Sequence, residues 1–174
     1  LLEAAVEVVS KFVPKGSLIV STKGRRPESE NKFSSVEEPL VKDIPLAILV
    51  NQNSASASEI VAGAMQDLDR GVIVGTRTFG KGLVQNIIPL LYDNQLKMTT
   101  AKYYTPSGRC IQEIDYMHKG KDGLFTITPD SLRKEYITKN SRKVQEFGGI
   151  HPDTTVADSE PSLLFTELMR KAMF

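Results

Sequence analysis

Apolar positions repeat differently in successive stretches of the chain, and each repeat predicts an element. From Leu1 to Val13, the residues Leu2, Ala5, Val6, Val9 and Phe12 or Val13 share one face at helical spacing, and Pro14 with Lys15-Gly16 ends the run. The spacing predicts an amphipathic helix that lacks its own start. Leu18-Ile19-Val20 predicts a short buried strand, and the polar stretch Lys23 to Lys42 a surface excursion or an edge hairpin. Pro45 to Val50 is almost wholly apolar, as expected of a strand covered on both faces in a parallel sheet. Beyond Ser56 the positions Ala57, Ile60, Val61, Ala64, Met65 and Leu68 form the strongest helical repeat in the chain. Val72-Ile73-Val74, between Gly71 and Gly75, predicts another buried strand. Pro45 to Val74 therefore spells strand, helix, strand, a crossover that makes its two strands parallel.

After Gly75 the repeat changes. Leu83 to Leu91 and Gln95 to Tyr103 alternate or run apolar on either side of Asp93-Asn94, which predicts an antiparallel hairpin or a pair of edge strands. Thr105-Pro106-Ser107-Gly108 has the chemistry of a turn. Glu113 to Gly149 is rich in Lys and Asp with weak periodicity, and reads as a surface insertion with one short helix near Ser131 to Ile137. In the tail, Pro161 follows Asp158 and Ser159 at a first helical position, and Leu163, Leu164, Leu168 and Met169 or Phe174 fall on a common side. Pro161 to Phe174 is expected to be a docked helix. The expected organisation is a single α/β domain, with a core over 1–112, a surface insertion over 113–150, and a C-terminal segment and helix over 151–174.

Composition narrows function more than fold. A chain of 174 residues can bury a sizeable core. Its 22 Lys and Arg against 21 Asp and Glu leave a net charge of +1, which provides no broad electrostatic footprint for nucleic acid or an acidic membrane surface. The single cysteine, Cys110, cannot form an internal disulfide, and no Cys and His cluster has metal-ligand spacing. No apolar run approaches the roughly 20 residues that span a bilayer. Function must therefore come from a local site.

The candidate site lies in Asn51 to Ile60 and in Thr78-Phe79-Gly80-Lys81-Gly82-Leu83-Val84-Gln85. The first stretch sits where a buried strand ends and a helix begins, the edge at which open parallel sheets place ligands. Unpaired N–H groups and the positive dipole end of a helix can stabilise an oxyanion formed beside a serine there. Ser56-Ala57-Ser58-Glu59 has two readings: a capping box, in which Glu59 reaches back to Ser56, or a turn that presents Ser56 as a nucleophile. Lys81, between two glycines and after Phe79, is either a solvated surface lysine or an amine shielded by Phe79 and held neutral as a general base. On an extended segment residues 81, 83 and 85 point to one side, so Gln85 can orient that amine without stabilising a charge on it, or else simply faces solvent. His118 and His151 lack a convincing carboxylate companion, and Cys110 reads as a small buried or half-buried thiol. Gly75 to Lys81 approaches a phosphate-binding loop, but Gly82 replaces the hydroxyl residue that would hold magnesium and a strand follows where a helix is needed.

Taken together, Ser54-Ala55-Ser56-Ala57-Ser58-Glu59-Ile60, Ala62-Gly63-Ala64-Met65-Gln66-Asp67, Gly75, Thr78-Phe79-Gly80-Lys81-Gly82 and Gln85 resemble the catalytic core of the carboxyl-terminal processing, or tail-specific, serine peptidases. The resemblance spans roughly Leu1 to Gln112, including Ser21-Thr22-Lys23-Gly24-Arg25 and Tyr103-Tyr104-Thr105-Pro106-Ser107-Gly108-Arg109. It implies a fold related to the ClpP and crotonase superfamily, with Ser56 as nucleophile, Lys81 as general base and Gln85 orienting the lysine. It also implies an oxyanion hole formed by the backbone N–H of Ala57 and one from an upstream Asn-Pro-Gly-Gly-type segment. That segment, and the PDZ domain that precedes it in the family, are expected before Leu1, so the chain reads as a truncated portion of a longer peptidase.

The implied activity is cleavage of proteins near apolar C-termini, with no metal or organic cofactor, no nucleic acid and no transmembrane segment in this chain. An oligomer is left open, and the resemblance implies the periplasm or cell envelope of a bacterium. Reduced or absent activity is expected of the truncated chain. Asp67 matches an acidic position of the family, but it lies roughly 16 Å along a helix from Ser56, so a structural or salt-bridging role is expected. The rival readings are a non-catalytic ligand- or peptide-binding module of the same fold and a crotonase-like acyl-CoA enzyme.

Overall fold

Most of the buried apolar side chains gather around a central helix. A computed structural model describes residues 1–129, 131, 133–157 and 163–171. Helix α1 (Leu2–Ser10) buries Ala5 and Val9 and leads into Val13, which is also fully buried. Strand β1 (Leu18–Gly24) follows and pairs antiparallel with β2 (Asn31–Ser34) after a single 3-10 turn at Pro27–Ser29, so the polar stretch is an edge hairpin.

The crossover comes next. Strand β3 (Ala47–Val50), helix α2 (Ala57–Asp67) and strand β4 (Val72–Gly75) follow in order, and β3 and β4 pair in parallel from Ala47 opposite Val72 to Val50 opposite Gly75. The covering of β3 differs from expectation. Val50 is buried and Ile48 packs against the core, but Leu49 is 79 % exposed and Ala47 and Val72 are exposed with it. Helix α2 packs on one face of this sheet, and the other face leaves Leu49 and Val72 exposed and Val74 half-buried.

Strands β5 (Leu83–Pro89) and β6 (Gln95–Tyr104) form the long antiparallel hairpin, and β6 joins β1 to give the order β2-β1-β6-β5. Residues 113–150 carry two further hairpins: β7 (Ile114–Lys119) with β8 (Phe125–Ile127), and β9 (Glu135–Ile137) with β10 (Lys143–Gln145). A strand thus stands where the second half of a short helix is expected. Tyr136 and Ile137 are residue types that favour strands, and pairing with β10 satisfies their backbone; Leu132 lies outside the described residues.

Strand β11 (Thr154–Thr155) adds to β4 in parallel. Helix α3 (Leu163–Arg170) forms within the expected span, while Pro161, Ser162 and residues 172–174 lie outside the described residues. On the described helix Leu163, Phe165 and Met169 are exposed and Leu168 is half-buried. Local support for the helix includes the Arg170–Glu167 ion pair, 2.8 Å long.

The core joins Val9 and Val13 to Ile19 and Val20 of β1, Ile60, Ala64 and Met65 of α2, Ile73 of β4, and Ile111 and Ile150. Full burial of one such side chain is worth about 1.5–3 kcal/mol. Packed on several sides, α2 is the fixed element from which its N-terminal end projects.

Candidate active site

The N-terminal end of α2 is strained and tightly tethered. Ser56, half-buried at the N-cap position, has φ 59° and ψ −116°, a left-handed φ that costs a residue with a Cβ energy and recurs at functional turns. Its carbonyl accepts the amides of Glu59 and Ile60 at 2.9 and 3.1 Å, starting the helix. Its own amide donates to Glu59 Oε2 at 2.8 Å, so the reach of Glu59 back to Ser56 predicted from the Ser-x-x-Glu pattern is present.

Glu59 does more than cap. Its side chain is fully buried, and Oε2 also accepts the amide of Lys81 at 2.8 Å. Oε1 accepts the Gly80 amide and the Thr78 hydroxyl, both at 2.6 Å. One carboxylate therefore fixes the backbone of the serine turn and of the lysine loop within two hydrogen-bond lengths of each other. Further bonds hold that loop in place. Phe79 N–H donates to Ser54 O at 3.0 Å, Glu113 N–H to Gly80 O at 2.9 Å, and Gly82 N–H to the Gln112 side chain at 2.7 Å. Gly80 has φ +85°, and a Cβ there would lie 2.6 Å from Glu113 Cβ, so glycine is required on both conformational and steric grounds.

Lys81, Leu83 and Gln85 line one groove, whose other wall includes Ile114 and Tyr116 of β7. Ser56 is not among the described residues lining that groove; its link to Lys81 runs through Glu59. Of the two readings of Lys81, its surroundings fit the solvated one. Lys81 is exposed and Phe79 is 54 % exposed, because the ring of Phe79 does not pack into the core. Gln85 is exposed on β5, and Ala57 opens α2 directly after Ser56.

The model for peptidase family S41 matches residues 1–131. The chain belongs to this family. It is 51 % identical over 160 residues to a carboxy-terminal-processing protease of Bartonella bacilliformis, covering 92 % of this chain and 32 % of that protein. It is 41 % identical over 117 residues to a carboxyl-terminal-processing protease of Synechocystis sp., covering 67 % of this chain and 27 % of the relative. Among solved structures it is similar to a photosystem II D1 C-terminal processing protease, with TM-score 0.61 and 28 % identity over 90 % of this chain and 31 % of that one. The S41 chain thus spans about a third of the length of these relatives.

Other polar groups of this S41 chain serve the scaffold. Asp67 forms a buried ion pair with Arg109 at 2.8 Å, and its second oxygen accepts the Ser107 amide at 3.0 Å, fastening the turn at 105–109 to the far end of α2. Burial works against the Arg109 charge and lowers its pKa, with Asp67 opposing the shift. Cys110 is buried, which pushes its thiol up. His118 is exposed and pairs with Asp115 at 2.7 Å. His151 is partly buried and its pKa is lowered, first by burial and then by the nearby Arg77, Arg133 and Arg109 charges. Among the described residues no cluster of His, Cys, Asp or Glu could hold a metal ion, and no helix is long and apolar enough to cross a membrane. Sequence reasoning found the contact of Glu59 with Ser56 but not its grip on Thr78, Gly80 and Lys81, for which capping chemistry carries no signal.

Proposed function

We propose that this chain is the catalytic-core portion of a serine endopeptidase that cleaves proteins near apolar C-termini. The observation that carries the reading is the strained Ser56 turn, tied through Glu59 to the backbone of Lys81. Ser56 stands at a strand-to-helix turn, where nucleophile turns stand. Ser56 Oγ attacks the scissile carbonyl carbon while Lys81 Nζ, as a neutral amine, takes the hydroxyl proton. The Ala57 N–H at the helix N-terminus stabilises the oxyanion. Lys81 then gives its proton to the departing amine, and water enters to hydrolyse the acyl-serine, with Lys81 accepting a proton from the water and passing it to the departing Ser56 Oγ. Gln85, on the same groove as Lys81, orients the amine.

Lys81 is exposed, and substrate lying along the groove would cover it. Neither metal nor organic cofactor takes part in this scheme. A periplasmic or cell-envelope location and the preference for apolar C-termini rest on the family resemblance. The test is covalent trapping in the full-length enzyme: a fluorophosphonate is expected to modify Ser56, identified by peptide mass, and to leave a Ser56→Ala variant unlabelled. Labelling at another serine overturns the reading.

A further inference from the structure

Glu59 fixes one side of the lysine loop; the other side meets the segment after Gln112. Glu113 donates its amide to Gly80 O at 2.9 Å, and the two backbones touch closely enough to exclude a Cβ at residue 80. The Glu113 carboxylate is nearly buried between two guanidinium groups. Arg77, in the loop leading to Lys81, donates to Oε1 at 3.2 Å, and Arg133 reaches Oε2 at 3.6 Å. The two cations differ in burial: the Arg77 side chain is 44 % exposed and that of Arg133 only 3 %. A solvated ion pair contributes little, whereas a buried charge must be paired. Arg133 also donates from Nε to Thr128 O at 3.3 Å and lies against Gly148, where a Cβ would collide with its guanidinium. The guanidinium is therefore packed in place rather than free to follow the carboxylate.

We infer that Arg133 is a positioning residue for the lysine loop, acting through Glu113 on Gly80; the inference rests on the Ser56 and Lys81 reading above. Without Arg133 the Glu113 carboxylate turns toward Arg77 and water, and the backbone at Glu113 and Gly80 moves with it. Lys81 is then misplaced relative to Ser56 while the groove that receives substrate persists. A displacement on the order of 1 Å at a reacting group can lower the rate by about 100-fold.

The test uses the full-length enzyme with Arg133→Met, Arg133→Lys and Glu113→Gln, measuring kcat and KM on an unfolded protein substrate and hydrogen exchange at the Gly80 and Lys81 amides. The expected result for Arg133→Met is a kcat lower by about 10- to 100-fold, KM within about twofold, and faster exchange confined to this loop. Arg133→Lys, which keeps the charge without the planar fork, recovers part of the loss. Unchanged kcat with unchanged exchange overturns the inference, and so does a loss accompanied by faster exchange throughout α1 and α2. If Arg133→Met does not fold, Arg133→Lys and Glu113→Gln decide by the same criteria. Ser56→Ala and Lys81→Ala run alongside: cleavage that survives both refutes the catalytic reading, while the exchange data still judge the clamp.

Discussion

The Glu59 carboxylate accepts the Lys81 amide at 2.8 Å through the same oxygen that accepts the amide of Ser56. Four donors converge on this buried group: the amides of Ser56, Gly80 and Lys81 and the hydroxyl of Thr78. Glu59→Ala leaves them without their acceptor, at about 1–3 kcal/mol for each that stays buried and unsatisfied. Glu59→Gln keeps the shape but turns an amide group toward N–H donors. Both variants are expected to lose at least 100-fold in kcat/KM and to unfold at lower denaturant. Full activity in Glu59→Gln contradicts this account of the site.

Asp67 is expected to act on stability and not on chemistry. Asp67→Ala strands the buried Arg109 guanidinium and releases the Ser107 amide, at a cost of about 3–5 kcal/mol. In the fraction that remains folded, kcat should stay within a few-fold of wild type. Thermal melting paired with active-site titration separates the two effects.

Gly80→Ala should disable the loop itself. The left-handed φ disfavours a Cβ by about 1–2 kcal/mol, and the close contact with Glu113 adds to that. The measurable outcome is a fall in kcat larger than that of a Gly16→Ala control, where φ is also positive but nothing lies within 4 Å of a new Cβ.

The pH dependence of stability is expected to carry a His151 signature. Its folded pKa is depressed by burial and by surrounding arginines, so the unfolded chain takes up the proton first. The stabilising contribution is present above the unfolded value near 6.5 and is lost as pH falls from there through the folded pKa. His151→Gln should flatten the decline in melting temperature between about pH 7 and pH 5. An unchanged slope means that His151 is not its source.

Local order was more legible in the sequence than long-range contact. The 3.6-residue repeat after Ser56 and the apolar runs beside it yield β3, α2 and β4 with their parallel pairing, because all three place apolar side chains in the same core. Asp93-Asn94 marks the turn between β5 and β6 for a similar local reason. Glu135–Ile137 was opaque because three residues have no period, and their state is set by pairing with Lys143–Gln145. The open face at Leu49 was equally invisible, since an apolar run does not say how many faces are covered. At the candidate site the residue types and their order are readable, but the grip of Glu59 on Thr78, Gly80 and Lys81 depends on a loop that returns across the fold.

The most direct measurement compares cleavage of an unfolded protein with an apolar C-terminus by the full-length enzyme and by its Ser56→Ala and Lys81→Ala variants. A nucleophile and its base act as a unit, so each substitution is predicted to lower kcat by at least about 1,000-fold, and the double variant scarcely further. Equal cleavage by all three proteins would contradict the assignment.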